Sequence, residues 1–410
     1  MLVILSLLIL AMANMTLNAA KPVTINALFM KQAGYSEDEI TQGTKEFEAK
    51  YPNIKVNLTF VPYEALEQKI ITSAQSGEFD VVLSDAPFTA KFAEAGIVRP
   101  LPKLPAADLK DIFLGAIEAG MYKGKFYGMP WLNDCKYLFY NKRMLKEAGF
   151  SAPPKTWDEL LAQAKVIKAK GLVKYPIAWS WAQAEALICD FTTLTCAFGG
   201  GMYDKKNRPQ FTHAANRKAL DFMIETLKNG ISNPHSIEWL EDNVRAVFSA
   251  GDAAFCLNWT YLYNAAKDPT QSKIVDDVGI AVIPGSAGVV SATVNGGMPL
   301  SISAGSKHPN EAWTYIKYMA SKEFQGKYCA NALPIWKSLF DDPKVVAANP
   351  EVVAVAKIQY DYFVNRPIVP YYSDLSTFLQ AEIQQALLGK KSSIEVLKAA
   401  QAKAMELAKK

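Results

Sequence analysis

From Val23 onward, short apolar runs alternate with amphipathic stretches, the pattern of an α/β protein with mostly parallel sheets. VTINALF, Val23 to Phe29, reads as a strand. Ser36 then suits a helix N-cap, because its hydroxyl can accept from a free backbone N–H. Glu37, Asp38 and Glu39 place negative charge in the first turn, and the helix runs toward Lys50. Tyr51, Pro52 and Asn53 stop it, and IKVNLTFV from Ile54 to Val61 alternates as a second strand. A helix from Tyr63 to Ser76 ends at Gly77, and Phe79 to Asp85 is a short buried strand. One lobe therefore begins β-α-β-α-β.

Glycine and proline mark a first crossing at Gly128, Met129 and Pro130. Beyond it the pattern predicts a strand at Lys136 to Asn141, a helix from Trp157 to Lys170 capped by Thr156, and helices at Ala214 to Asn229 and Trp239 to Ala250. Strands follow at Ala253 to Trp259 and Val278 to Pro284. A second Gly/Pro cluster, Pro284 to Gly297, precedes the strand Pro299 to Ser303 and the helix Asn310 to Ser321. From about Asp341 the chain is mostly helical, and no internal repeat or heptad interrupts the series.

The N-terminus reads differently. Leu2 to Ala13 is apolar and uncharged but shorter than the ~20 residues that span a bilayer, so a cleaved leader fits better than an anchor. Ala11-Met12-Ala13 offers one cut, and Asn18-Ala19-Ala20 a preferred later one, giving a leader of residues 1–20. The first cysteine is Cys135, so no lipid-bearing cysteine is expected at the mature end and a periplasmic location follows. The chain has 410 residues, 50% apolar, with 44 basic against 40 acidic side chains, long enough for two or three domains with large cores and too balanced to argue for nucleic acid. Its five cysteines contain no CxxC pair. Cys189 and Cys196 on one helix would stand about 10 Å apart, too far to bridge, while Cys135 and Cys256 sit at strand positions that can meet. Buried free thiols are the expectation.

No HExxH, GxSxG or phosphate-binding GxxxxGK[ST] is present, and neither a cofactor nor a metal is expected. Paired acids such as Glu241-Asp242 read as solvated capping charges. What stands out is aromatic residues at polar junctions: Trp131 beside Asn133 and Asp134, Trp179 and Trp181 around a serine, Trp259 and Tyr261 after Asn258, and Tyr371-Tyr372 between Arg366 and Asp374. A sugar presents an apolar CH face and a rim of hydroxyls, so a ring to stack on beside a carboxylate or amide suits it. Such a polar group also rejects ligands that would leave it buried and unpaired. Each ring taken alone is more often core filler.

The order of FEAKYPNIKVNLTFVPYEAL, GEFDVVLSD with AEAGIVRPL, GKFYGMPW, LFYNKRMLKEAGFSAPPKTWDELLAQAKVIK, FSAGDAAFCLNW, NGGMPLSISAGSKHPNEAWTYIKYMAS and RPIVPYYSDLS resembles the bacterial extracellular solute-binding protein family 1, the maltose-binding-protein-like components of ABC sugar importers. The resemblance implies a type II periplasmic-binding-protein fold. Lobe 1 would combine residues 21–133 with 284–332, lobe 2 would combine 134–283 with 333–410, and a ligand would close the cleft by a hinge motion. It implies a monomer that is not an enzyme, a small carbohydrate as ligand, and the importer's membrane permease subunits as partners.

Carried over residue by residue, the resemblance points to Gln32 and Tyr35 in the first strand–helix loop, Asp85 after the DVVLS strand, and Asp134 beside Trp131 before the YN strand. It also points to Trp179, Trp181 and Gln183 in a loop of the second lobe, and to Trp259 or Tyr261 as the stacking ring. Asn295 and Gly297 would supply backbone donors, and Arg366 and Tyr371 would close over the sugar. Two departures remove ring platforms: Met298 follows Gly297 where many relatives have tryptophan, and Leu379 stands where maltose binders place another. A monosaccharide, small disaccharide or polyol is therefore expected in preference to a long malto-oligosaccharide. The same fold holding ferric iron through Tyr371-Tyr372, a sensory binding protein, and a two-carboxylate glycosidase are the alternatives.

Overall fold

The computed structural model describes residues 22–31, 34–204 and 206–409; the leader expected at 1–20 and the candidate Gln32 lie outside them. In chain order the first strands are β1 (Val23–Met30), β2 (Ile54–Val61), β3 (Val81–Leu83), β4 (Met129–Leu132), β5 (Tyr137–Asn141) and β6 (Ile177–Ala178). They are followed by β7 (Phe255–Asn258), β8 (Val278–Ala281), β9 (Thr293–Val294), β10 (Met298–Ile302) and β11 (Phe363–Val364). A small hairpin pairs Met121–Tyr122 with Lys125–Phe126.

β1, β2 and β3 form the parallel start of a five-stranded sheet of order β2-β1-β3-β10-β4. Helices α1 (Glu37–Lys50) and α2 (Tyr63–Ser73) connect these strands. The α1 terminus forms for the reason its sequence suggests: Ser36 Oγ accepts from Glu39 N, and Glu39 returns a carboxylate to Ser36 N at 2.7 Å. The second sheet has the order β8-β5-β7-β6.

The expectation of mostly parallel sheets holds for β1 to β3 and not for the strands added after a crossing. β10 runs antiparallel to β3 and β4, and in the second sheet only β6 and β7 are parallel. A strand that arrives from the other sheet enters from the opposite end, so its direction reverses.

Three segments lie side by side between the sheets. The chain passes from β4 to β5 in four residues, 133–136, and returns through β9 to β10. It is back against the second sheet by Glu351, which meets Lys142 and Lys267, and β11 then runs alongside β9 in the same direction. β9 and β11 are paired in parallel, Cys135 bridges to Asn295, Asn295 N donates to Val364 O at 2.8 Å, and Gly296 N donates to Asp134 O at 2.9 Å. This ribbon is the floor of the space between the two sheets.

Residues 333–341 pack on the first body: Trp336 bridges to Ile112, and the Phe340 ring meets Phe113 edge-on at 4.9 Å. Helices α3 (Glu185–Ala197), α4 (Glu241–Ser249), α5 (Tyr372–Leu387) and α6 (Ser393–Leu407) belong with the second sheet, where Leu375, Leu379 and Ile383 join its core. All five cysteines are free thiols, including Cys135 and Cys256. Among the described residues no helix is long and apolar enough to cross a membrane.

Candidate ligand-binding site

A cleft of about 920 Å³ opens between the two bodies above the crossing ribbon. The first body contributes Tyr63 and Glu67 from α2, Asp85 from the end of β3, and Phe88. The second contributes Gln183, Glu185, Glu241, Asp242, Trp259 and Tyr261, and the crossing ribbon contributes Asp134, Gly296, Met298 and Arg366. Rings and carboxylates thus alternate around one space.

Trp259 is held from three directions. Its Nε1 donates to Glu241 Oε1 at 3.2 Å, the Lys136 ammonium lies 5.3 Å from its ring centroid, and its edge abuts Gly296. Lys136 is 0% exposed and bonds Asp190 at 2.7 Å and Ser180 at 2.9 Å, with Glu241 3.3 Å away. Burial works against its ammonium, but the charges of Asp190 and Glu241 prevail and raise its pKa. The ring platform therefore rests on a fixed cation. Tyr261 is tethered nearby, its hydroxyl donating to Asp242 Oδ1 at 3.0 Å.

On the opposite wall Asp85 accepts from Tyr63 OH at 2.7 Å and from Arg366 Nη2 at 2.7 Å. Arg366 Nη1 donates to Glu185 Oε1 at 2.9 Å, and Glu185 also accepts from Tyr372 OH and from Ser376 Oγ. Burial raises the Glu185 pKa against the pull of Arg366 and these hydroxyls. On the floor, Asp134 Oδ1 accepts from Thr260 Oγ1 at 2.6 Å and Cys135 N at 2.8 Å; burial nevertheless pushes its pKa up to about 7.

Of the residues expected from the sequence, Asp85, Asp134, Gln183, Trp259, Tyr261 and Arg366 come together on the cleft. Seven others do not line it. Tyr35 and Trp131 pack on each other at 4.8 Å inside the first core. Trp179 and Trp181 stack at 4.8 Å and 12° in the second, where Trp179 Nε1 is satisfied by Ser232 Oγ. Asn295 is buried and bonded to Gly115 O and Asn365 Oδ1, and its own Oδ1 takes the Gly297 N–H. Gly297 and Gly296 therefore spend their donors inside the protein, on Asn295 and Asp134. Tyr371, the seventh, turns away to a hydroxyl contact with Tyr203 at 3.2 Å while Tyr372 faces Glu185, so the two tyrosines do not form a pair on the cleft. Among the described residues no three His, Cys, Asp or Glu side chains gather so as to hold a metal ion.

Sequence reasoning missed Tyr63, Glu67, Glu185 and Tyr372. Glu241 and Asp242 stand in the first turn of α4 as the capping reading expects, with Asp242 half exposed, but they also line the cleft as partners of Trp259 and Tyr261, which that reading did not foresee. Glu185 had a local signal, standing two residues after Gln183 at the start of α3.

The model of the family described as bacterial extracellular solute-binding protein matches residues 33–326. A probable ABC transporter-binding protein of Deinococcus radiodurans is 29% identical over 345 residues, covering 81% of this chain and 80% of that one. A mannitol-binding protein of Pseudomonas aeruginosa is 25% identical over 385 residues, 87% of each chain. Among solved structures, maltose-bound T. maritima MalE3 superposes with a TM-score of 0.84 at 26% identity, covering 94% of this chain and 100% of that one. A solute-binding protein of Thermotoga lettingae bound to α-D-tagatose gives 0.81 at 26% identity, with 93% and 98% covered. Two sheet-centred bodies, a three-segment ribbon between them, a ring-and-carboxylate cleft and a family match over most of the length agree: this chain belongs to the bacterial extracellular solute-binding proteins.

Proposed function

We propose that the protein captures a monosaccharide, small disaccharide or polyol in this cleft by hinge closure and delivers it, as a monomer outside the cytoplasm, to the membrane subunits of an ABC importer. The observation that carries the reading is the pairing of fixed aromatic faces, Trp259 and Tyr261, with carboxylates at Glu241, Asp242, Asp134 and Asp85 around one space. A ring binds the CH face of a sugar and the carboxylates accept its hydroxyls. Relatives that bind mannitol, tagatose and maltose support the class. The size class rests on two positions: Met298, not a ring, lines the cleft, and Leu379 is 1% exposed in the core. In this reading lobe 1 takes residues 333–341 with it, since they pack on the first body.

The test is thermal unfolding of the purified, ligand-stripped chain against monosaccharides, disaccharides, polyols, sugar acids and malto-oligosaccharides. A ligand at ~1,000 times its dissociation constant adds about 4 kcal/mol to the folded state, so one sugar class should raise the melting temperature clearly. Silence across the panel, or a rise only with ferric iron, would overturn the carbohydrate reading. Tight malto-oligosaccharide binding would overturn the size class, and turnover of a chromogenic glycoside would replace a binding role with an enzymatic one.

A further inference from the structure

We propose that Arg366 is a latch between the two bodies, a positioning residue whose guanidinium holds the cleft shut at one edge through bonds made entirely within the protein. Arg366 follows β11 by two residues and so projects from the crossing ribbon, beside the line about which the bodies would rotate. From there one guanidinium nitrogen reaches Asp85, at the end of β3, at 2.7 Å, and the other reaches Glu185, in the first turn of α3, at 2.9 Å. Its side chain is 3% exposed, and Asp85 and Glu185 are 4% and 13% exposed.

Each carboxylate is anchored in its own body. Asp85 is tied to Tyr63 of α2, and Glu185 to Tyr372 and Ser376 of α5. Rotation that opens the cleft must separate the two acids, and the guanidinium can follow only one of them. The other is left as a buried carboxylate without its cation, a costly state. A second link crosses at the same edge: Ser373 Oγ of α5 donates to Glu67 Oε1 of α2 at 2.5 Å, and Lys91 holds that carboxylate from its own side at 2.8 Å.

Closure at this edge thus needs no ligand contact, which differs from a cleft that only a ligand can bring together. The guanidinium retains one buried donor, Nε, with no hydrogen-bond partner in the protein. An acceptor oxygen in the cleft could engage it without breaking either ion pair.

The test is small-angle X-ray scattering of the ligand-stripped chain, comparing wild type with Arg366→Met, Arg366→Lys and Glu185→Gln, and needs no knowledge of the ligand. Wild type should have the radius of gyration calculated from this structure. Arg366→Met should be larger, approaching the value for a hinge-opened chain. Arg366→Lys, which keeps a cation but loses the fork that serves two carboxylates at once, should fall between. Glu185→Gln keeps the shape of the acid and loses its charge, so it carries the test if Arg366→Met fails to melt cooperatively; it too should expand. Equal radii for wild type and the folded variants, or a wild-type chain already expanded, would overturn the latch. Because no sugar is added, failure of the carbohydrate reading leaves this result unaffected, and the reverse holds for the thermal screen.

Discussion

Gly296 is where a single atom decides the site. A Cβ there would lie 2.4 Å from the Trp259 ring, a separation that no adjustment of a few tenths of an ångström relieves. The ring cannot retreat far, because Lys136 and Glu241 hold it from behind. Gly296→Ala is therefore expected to tilt Trp259 and weaken binding of the cognate sugar by tenfold or more, about 1.4 kcal/mol, as read by titration calorimetry. Tryptophan emission should shift at the same time. Unchanged affinity would remove Trp259 from the site. At this scale the sequence revealed residue types and not directions: Trp179 and Trp259 directly follow β6 and β7, yet one stacks in a core and the other faces the cleft. A ring satisfies either environment, so only its neighbours separate the two.

Elements were the most legible level, because caps and periodicity are local. The α1 and β2 boundaries agree with the pattern to the residue, and Thr156 caps its helix by accepting from Glu159 N at 3.1 Å. The start of α5 was not legible. Tyr371 and Tyr372 flank it, and a turn of about 100° per residue sends one to Tyr203 and the other to Glu185. The same helix decides Leu379, whose stripe with Leu375 and Ile383 packs into the second core. Leu379→Trp should accordingly overpack that core and cost about 1–3 kcal/mol in denaturant unfolding, with no gain in malto-oligosaccharide affinity. A tighter oligosaccharide complex with unchanged stability would show that position 379 reaches the cleft after all.

At the scale of the whole molecule, Asp134 couples stability to pH, since it sits on the crossing ribbon and bonds Thr260 of the second body. Its folded pKa of about 7 exceeds the ordinary carboxylate value, so between those limits the folded state binds more protons than the unfolded one. The stabilisation is complete below the ordinary value and is lost as pH rises through about 7, by up to roughly 1.4 kcal/mol per pH unit. Asp134→Asn keeps an acceptor for Thr260 and Cys135 N and cannot titrate. The melting temperature of wild type should thus fall relative to this variant between about pH 5 and pH 8; parallel profiles would show that Asp134 is ionised throughout. By itself the sequence determined the bounds of several helices and strands and the residue types of the site. Those bounds follow from forces acting over a few neighbouring residues. The first crossing lies at 133–136, past the Gly128-Met129-Pro130 marker, because Met129 and Pro130 belong to β4. Tertiary structure alone decided that β10 and β5 run against their neighbours, that Arg366 reaches two acids 281 and 181 positions away, and that four of the expected aromatic residues fill cores instead of the cleft. Strand direction, burial and long-range ion pairing depend on how segments distant in the chain are brought together, and no local pattern encodes that.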